Sequence, residues 1–205
     1  MSILPPDIQR YCICMEEVKS RIQAIEAHTS STPKINGIDT HSELIAIQFR
    51  KILEMIAFGS LIANREKYSQ AYNNYTSHWN AKDMLANLRT INPTFYPIPL
   101  KPPRTREDGT KHFDRVGKGY ITEEQFLSLY NDCGSILHTK NPYALKKAKV
   151  FSTEATKKWI KLIQGLLSTH LARLIDSEEG WVVVMQYPTD GRVHAFQFQG
   201  IESAP

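Results

Sequence analysis

Three groups of side chains in this chain have the types and spacing that support chemistry. The first is His138, which closes a helical pattern within LYNDCGSILHTKNPY, residues 129–143. A helix C-terminus favours the charged imidazolium, which poises a histidine for proton transfer near neutral pH. The plainer reading is a histidine that only satisfies the last carbonyls of its helix. The second group is Arg50 with Glu54, four residues apart and therefore on one helix face. They lie in the middle of an apolar stretch, where desolvating two ions is costly unless they pair. Either they specify the fold as a pair, or Arg50 reaches a cleft beside His138. The third group is lysine-rich: Lys140, Lys146, Lys147, Lys149, Lys157, Lys158 and Lys161 are accompanied by one acid, Glu154. This local excess of positive charge is either a solvated face or a surface for phosphate. His170, beside the apolar stripe of the last helical pattern, reads as a satisfied core histidine.

Other chemistry has no support in the sequence. No phosphate-binding glycine loop, dinucleotide fingerprint, HExxH, GxSxG or CxxC occurs. Residues 114–125 resemble a calcium loop in having Asp114, Gly119 and Ile121. However, Val116, Lys118 and Gln125 stand where oxygen ligands are needed. Cys12, Cys14 and Cys133 make neither a disulfide framework nor a zinc set. We expect no metal and no cofactor. The cysteines fit a reducing cytoplasm, and the first residues lack the basic-then-apolar pattern of a signal peptide. The net charge of +4 is too weak by itself to imply a nucleic-acid partner.

The elements that must position these groups follow from periodicity. Pro5 and Pro6 open a helix in which Ile8, Tyr11, Met15, Val18, Ile22 and Ile25 form one stripe, running to about His28. Residues 29–40 read as a loop. The stretch from His41 to Tyr68 is apolar almost all round, which predicts one central buried helix entered at Ser42 and Glu43. Its uncharged runs are too short to cross a membrane. A helix over Ser77–Leu88 turns Trp79, Met84 and Leu85 inward. Pro93, Pro97, Pro99, Pro102 and Pro103 make residues 92–118 an irregular connector. Thr122 with Gln125 is a capping box for a helix through Phe126, Leu129, Tyr130 and Cys133 to His138. Ser152 or Thr153 caps a last helix in which Ile160, Ile163, Leu167, Leu171 and Leu174 form one face. Finally, Asp190-Gly191 predicts a two-residue hairpin turn. That register pairs Tyr187 with His194, Met185 with Phe196 and Val183 with Phe198, all on the face of Trp181.

A central helix carrying Arg50-Lys-Ile-Leu-Glu54, followed by a helix ending in residues 129–143, resembles the HEPN-like superfamily of helical-bundle proteins. In particular it is similar to a bacterial branch with a degenerate motif. The resemblance covers roughly residues 41–175. Many members are metal-independent ribonucleases of toxin–antitoxin and phage-defence systems, marked by an arginine shortly before a histidine. Here the histidine is His138, and the window for the arginine holds Asn131, Asp132 and Cys133. The resemblance therefore implies a non-catalytic module that binds RNA or a protein partner, with Lys140, Lys146, Lys147 and Lys149 as the nucleic-acid contacts. The alternative is a ribonuclease with His138, Arg50 and Glu54 in its active site. A structural protein without a ligand is the third reading. A homodimer is left open. The expected fold is mainly α, a bundle of four to five helices with a C-terminal β-hairpin packed against it. It is expected as one domain: residues 1–176 form the bundle and residues 177–205 the hairpin appendage.

Overall fold

The computed structural model describes residues 5–30, 40–72, 75–77, 80–139, 143, 150–175 and 179–199. These residues are mainly helical, with a small antiparallel sheet. Helix α1 spans Pro6–Ser30, with all six stripe residues from Ile8 to Ile25 buried. Helix α2, Thr40–Ala63, packs along α1 on one side and along α5 (Glu123–Leu137) on another. It also touches α4 (Ala81–Ile91). Ile45, Phe49, Ile52, Leu53 and Ile56 are the centre of the core.

Three details of the central helix differ from expectation. It is not buried all round: Leu44 and Ile47 are 37% and 41% exposed, because α1, α4 and α5 leave that face uncovered. Nor is it continuous to Tyr68. It stops at Ala63, and a short α3 follows over Arg65–Ala71. The break is at Asn64, whose side chain donates to the Ser60 carbonyl (2.8 Å) and accepts from Asn92 Nδ2 (2.8 Å). A buried amide pair thus ties this corner to the end of α4, and an amide that bonds local backbone competes with helix continuation. Ser42 is not an entry cap either. It lies inside α2, buried, and its hydroxyl accepts the Phe151 N–H at 3.0 Å.

The connector over 92–118 is less irregular than its prolines suggest. Ile98–Pro99 forms strand β1, and Arg104–Thr105 pairs with Lys111–His112 as β2 and β3. Proline is tolerated in β1 because that strand is at the edge of its sheet, where a missing N–H breaks no ladder. Trp79 and the loop segment 31–39 lie outside the described residues. Thr122 and Gln125 form the expected reciprocal cap at the start of α5.

Helix α6, Thr153–Leu167, is capped by Ser152, whose hydroxyl accepts from the Ala155 N–H. It ends at Leu167, so Leu171 and Leu174 do not continue its stripe. Thr169–Arg173 is instead strand β4, paired with β5 (Glu179–Val184), which pairs with β6 (His194–Gln199). The sheet order is β1-β4-β5-β6. Residues 170–174 fit a helical and an alternating pattern equally, and neighbouring strands decide between them. Helix α6 itself is held close to the loop before α5. A Cβ on Gly165 would fall 2.1 Å from the Gly119 carbonyl oxygen, so only glycine fits there.

The hairpin register also differs from expectation. Val184 pairs with His194, Val182 with Phe196 and Gly180 with Phe198. The expected register would pair Thr189 with Arg192 across a two-residue turn. The turn instead closes where the Tyr187 N–H meets the Arg192 carbonyl (2.9 Å), with Gly191 at φ +66°. The Val193 N–H donates to the Glu16 carboxylate on α1 (2.6 Å), and Lys19 holds the Gly191 carbonyl (2.7 Å). This register divides the predicted apolar face in two. Trp181, Val183 and Ala195 face the helices, while Phe196 and Phe198 lie on the opposite face with Val182 and Leu171.

Candidate functional site

Arg50 and Glu54 project from α2 towards Tyr130 on α5, and the three side chains form one cluster. Arg50 Nε pairs with Glu54 Oε1 at 3.1 Å. Arg50 Nη2 donates to the Tyr130 hydroxyl at 2.6 Å, and that hydroxyl donates to Glu54 Oε1 at 3.3 Å. The guanidinium carbon also lies 4.3 Å from the Tyr130 ring centroid, a cation–π contact. The side chains of Arg50 and Glu54 keep 25% and 22% of their exposure, so the pair is half-buried, not dry. Burial pushes the Tyr130 hydroxyl above its ordinary pKa, Arg50 opposes this and Glu54 adds to it. The phenol therefore stays protonated at neutral pH. Within the cluster the guanidinium neutralises the Glu54 carboxylate through Nε and binds the Tyr130 phenol through Nη2.

His138 is not part of this cluster. It caps α5, with its backbone N–H on the Gly134 carbonyl (3.1 Å), and its side chain is exposed. Among the described residues, no hydrogen bond or ion pair joins His138 to Arg50 or Glu54. Cys133, one turn earlier, is buried, and burial pushes its thiol up to about 12, so it is no nucleophile. Of the lysine-rich segment, Lys140, Lys146, Lys147 and Lys149 lie outside the described residues. Lys157, Lys158 and Lys161 are exposed on α6.

Sequence reasoning did not foresee that Tyr130 joins the Arg50–Glu54 pair. The signal was an aromatic hydroxyl on a buried helix stripe, which requires a polar partner. It also missed the partner of His170. That ring is fully buried, with Nε2 2.7 Å from the Tyr11 hydroxyl and Nδ1 2.8 Å from the Leu167 carbonyl. A carbonyl only accepts, so Nδ1 carries the proton and Tyr11 donates to Nε2. Burial lowers the His170 pKa to about 4. This dyad is a core fixture with no route to solvent.

Two further polar groupings lie elsewhere in the described residues. His28 and His41 stack at the joined ends of α1 and α2, with nitrogens 2.9 Å apart. Among the described residues, no group of three or more histidine, cysteine or acidic side chains converges as a metal set. A cavity of about 440 Å³ lies between α1, the end of α6 and β5, with Lys19, Gln23, Glu26 and Gln164 in its wall. Its lysine is already committed to Glu16 and the Gly191 carbonyl. No helix among the described residues is long and apolar enough to cross a membrane. Comparison with protein-family models, with curated proteins and with solved structures finds no match for the chain.

Proposed function

We propose that this protein is a non-catalytic RNA-binding module, a HEPN-like bundle carrying a C-terminal hairpin, of the kind used in phage-defence or toxin–antitoxin settings. The observation that carries the reading is the inward commitment of Arg50. Its guanidinium is held by Glu54 and Tyr130, and the exposed His138 has no arginine partner at the family's spacing. Metal-independent cleavage needs a proton-transfer group and a cation at the same phosphate. Binding needs only the cations. Lys157, Lys158 and Lys161 present three of them on the exposed face of α6, and Lys140, Lys146, Lys147 and Lys149 belong to the same stretch of chain.

The test uses purified full-length protein and labelled single-stranded RNA, with binding and cleavage read in EDTA. Binding should weaken steeply as salt rises, because phosphate contacts release counterions. Changing Lys157, Lys158 and Lys161 together to Glu should weaken it further while leaving the melting temperature unchanged. His138→Ala should leave binding intact, and no cleavage should appear in either protein. Cleavage in EDTA that disappears in His138→Ala would establish the ribonuclease alternative instead.

A further inference from the structure

The outer face of the sheet carries a second, different surface. Rows across it run Ile98–Leu171–Val182–Phe196 and, one step along, Val184–His194. At the β1 side this face is closed: Leu100 and Phe113 of the connector pack over Leu171, Val182 and Phe198, with Phe113 edge-on to Phe198. At the β6 side it is open. Val182 is 4% exposed, whereas its cross-strand partner Phe196 is 44% exposed.

The open part has the geometry of a stacking platform. Tyr187 and His194 lie face to face, with centroids 4.3 Å apart and planes 24° apart. His194 and Phe196 are near-parallel neighbours on the same face, with planes 23° and centroids 6.3 Å apart. The Asp190 carboxylate fixes the His194 ring through Nε2 at 3.0 Å, so the ladder is positioned before any ligand arrives. Its surroundings carry both signs of charge, with Asp190 on the His194 ring and Arg192 beside Asp190. Arg192 is exposed in the turn beside the rings, and Arg173 lies on the same face, in the row of Phe198. The connector arm that covers the closed half carries Arg104, Arg106 and Lys111, and across residues 101–118 its cations outnumber its acids. Aromatic rings with peripheral positive charge complement unpaired bases on a phosphodiester chain. A duplex keeps its base faces stacked and cannot use such rings.

We infer that the outer sheet face, through Tyr187, His194 and Phe196, binds single-stranded nucleic acid by base stacking, with Arg173 and Arg192 on the adjoining phosphates. This deepens the RNA-binding reading above and rests on it for the class of ligand, but it uses different residues and a different force.

The probe is a fluorescein-labelled oligo(U) of about 12 nucleotides, matched to the site size of small single-strand binders. It is compared with the same strand annealed to its complement. The full chain should prefer the single strand. Phe196→Ala should weaken binding about tenfold or more, the usual loss for one stacked base, while Phe196→Tyr should retain it. The salt dependence should keep its slope in Phe196→Ala and flatten in Arg173→Glu/Arg192→Glu, because only the arginines touch phosphate. Phe196 is half-exposed, so the melting temperature of the Ala variant should stay near that of the parent. If Phe196→Ala binds oligo(U) as tightly as the parent while the triple change at Lys157, Lys158 and Lys161 abolishes binding, the platform is wrong and the α6 reading stands. Loss in Phe196→Ala with full binding in the lysine variant supports the platform and removes the α6 surface. A parent that binds neither strand overturns both. A dimer in sedimentation that Phe196→Ala breaks, without change in oligo(U) affinity, assigns the face to a second copy and overturns the inference.

Discussion

Two tyrosines, Tyr11 and Tyr130, each connect distant parts of the chain through a polar cluster, and the clusters behave in opposite ways. Tyr11 meets His170 in a dry core where every polar atom of the pair has one neutral partner. Tyr130 meets Arg50 and Glu54 at the boundary between α2 and α5, where charge is balanced and water still reaches the ions. The contrast shows that burial, more than residue type, sets what a polar group does. Fully enclosed, an imidazole is held neutral and becomes a structural part. Half-open, an ion pair keeps its charge but satisfies itself. Neither arrangement presents a free catalytic group, which is why the functional proposals fall on exposed surfaces.

The sharpest way to break this contrast is His170→Ala. It leaves a cavity and strands the Tyr11 hydroxyl in the core, so a loss of about 3–5 kcal/mol is expected in chemical denaturation. A loss below about 1 kcal/mol would mean that water enters this part of the core and the clusters are alike.

The pH dependence follows next. His170 has a folded pKa near 4, below its ordinary 6.5, so the unfolded chain takes up the proton first. The stability contributed by neutral His170 is complete above pH 6.5 and is lost progressively as pH falls towards 4, of the order of 3 kcal/mol in all. Glu16 adds to the acid loss. Burial raises its carboxyl, but the Val193 N–H and Lys19 outweigh that and hold it below its ordinary value. Its contribution is therefore present at neutral pH and disappears in acid. Melting curves should show this decline in the parent and a shallower one in His170→Gln.

Arg50 and Glu54 should be coupled more weakly than a dry pair. Arg50→Met alone is expected to cost about 1–3 kcal/mol, below the ~3–5 of fully buried pairs, because water screens the stranded Glu54. The double change Arg50→Met/Glu54→Met should cost less than the sum of the singles. Strict additivity in a double-mutant cycle would show that the pair is not coupled.

The smallest effect is expected at His138. Its side chain is exposed and linked to neither cluster, so His138→Ala should change stability by less than about 0.5 kcal/mol. A larger loss would place it in a network with its neighbours.

Much of the helical framework was legible because it depends on local periodicity and capping. The stripe from Ile8 to Ile25, the reciprocal cap of Thr122 and Gln125, and the i,i+4 relation of Arg50 and Glu54 each lie within one element. Short-range geometry is enough to read them. The identity of Tyr130 as the third member of the cluster was not legible, because α5 meets α2 only in the folded chain. The sheet depended still more on tertiary structure. Whether residues 170–174 continue a helix or form a strand is ambiguous locally, and pairing with β5 settles it. The hairpin then shifts away from the two-residue turn that Asp190-Gly191 suggests and closes between Tyr187 and Arg192, with Glu16 and Lys19 of α1 holding Val193 and Gly191 beside it. Because side chains alternate along a strand, that shift moves Phe196 and Phe198 to the opposite face from Trp181. The amino-acid sequence by itself determined which residues are aromatic, basic or apolar. Only the folded chain decided that Tyr187, His194 and Phe196 stand together at the open edge of the sheet, because any change of register by an odd number of residues swaps the face each side chain takes.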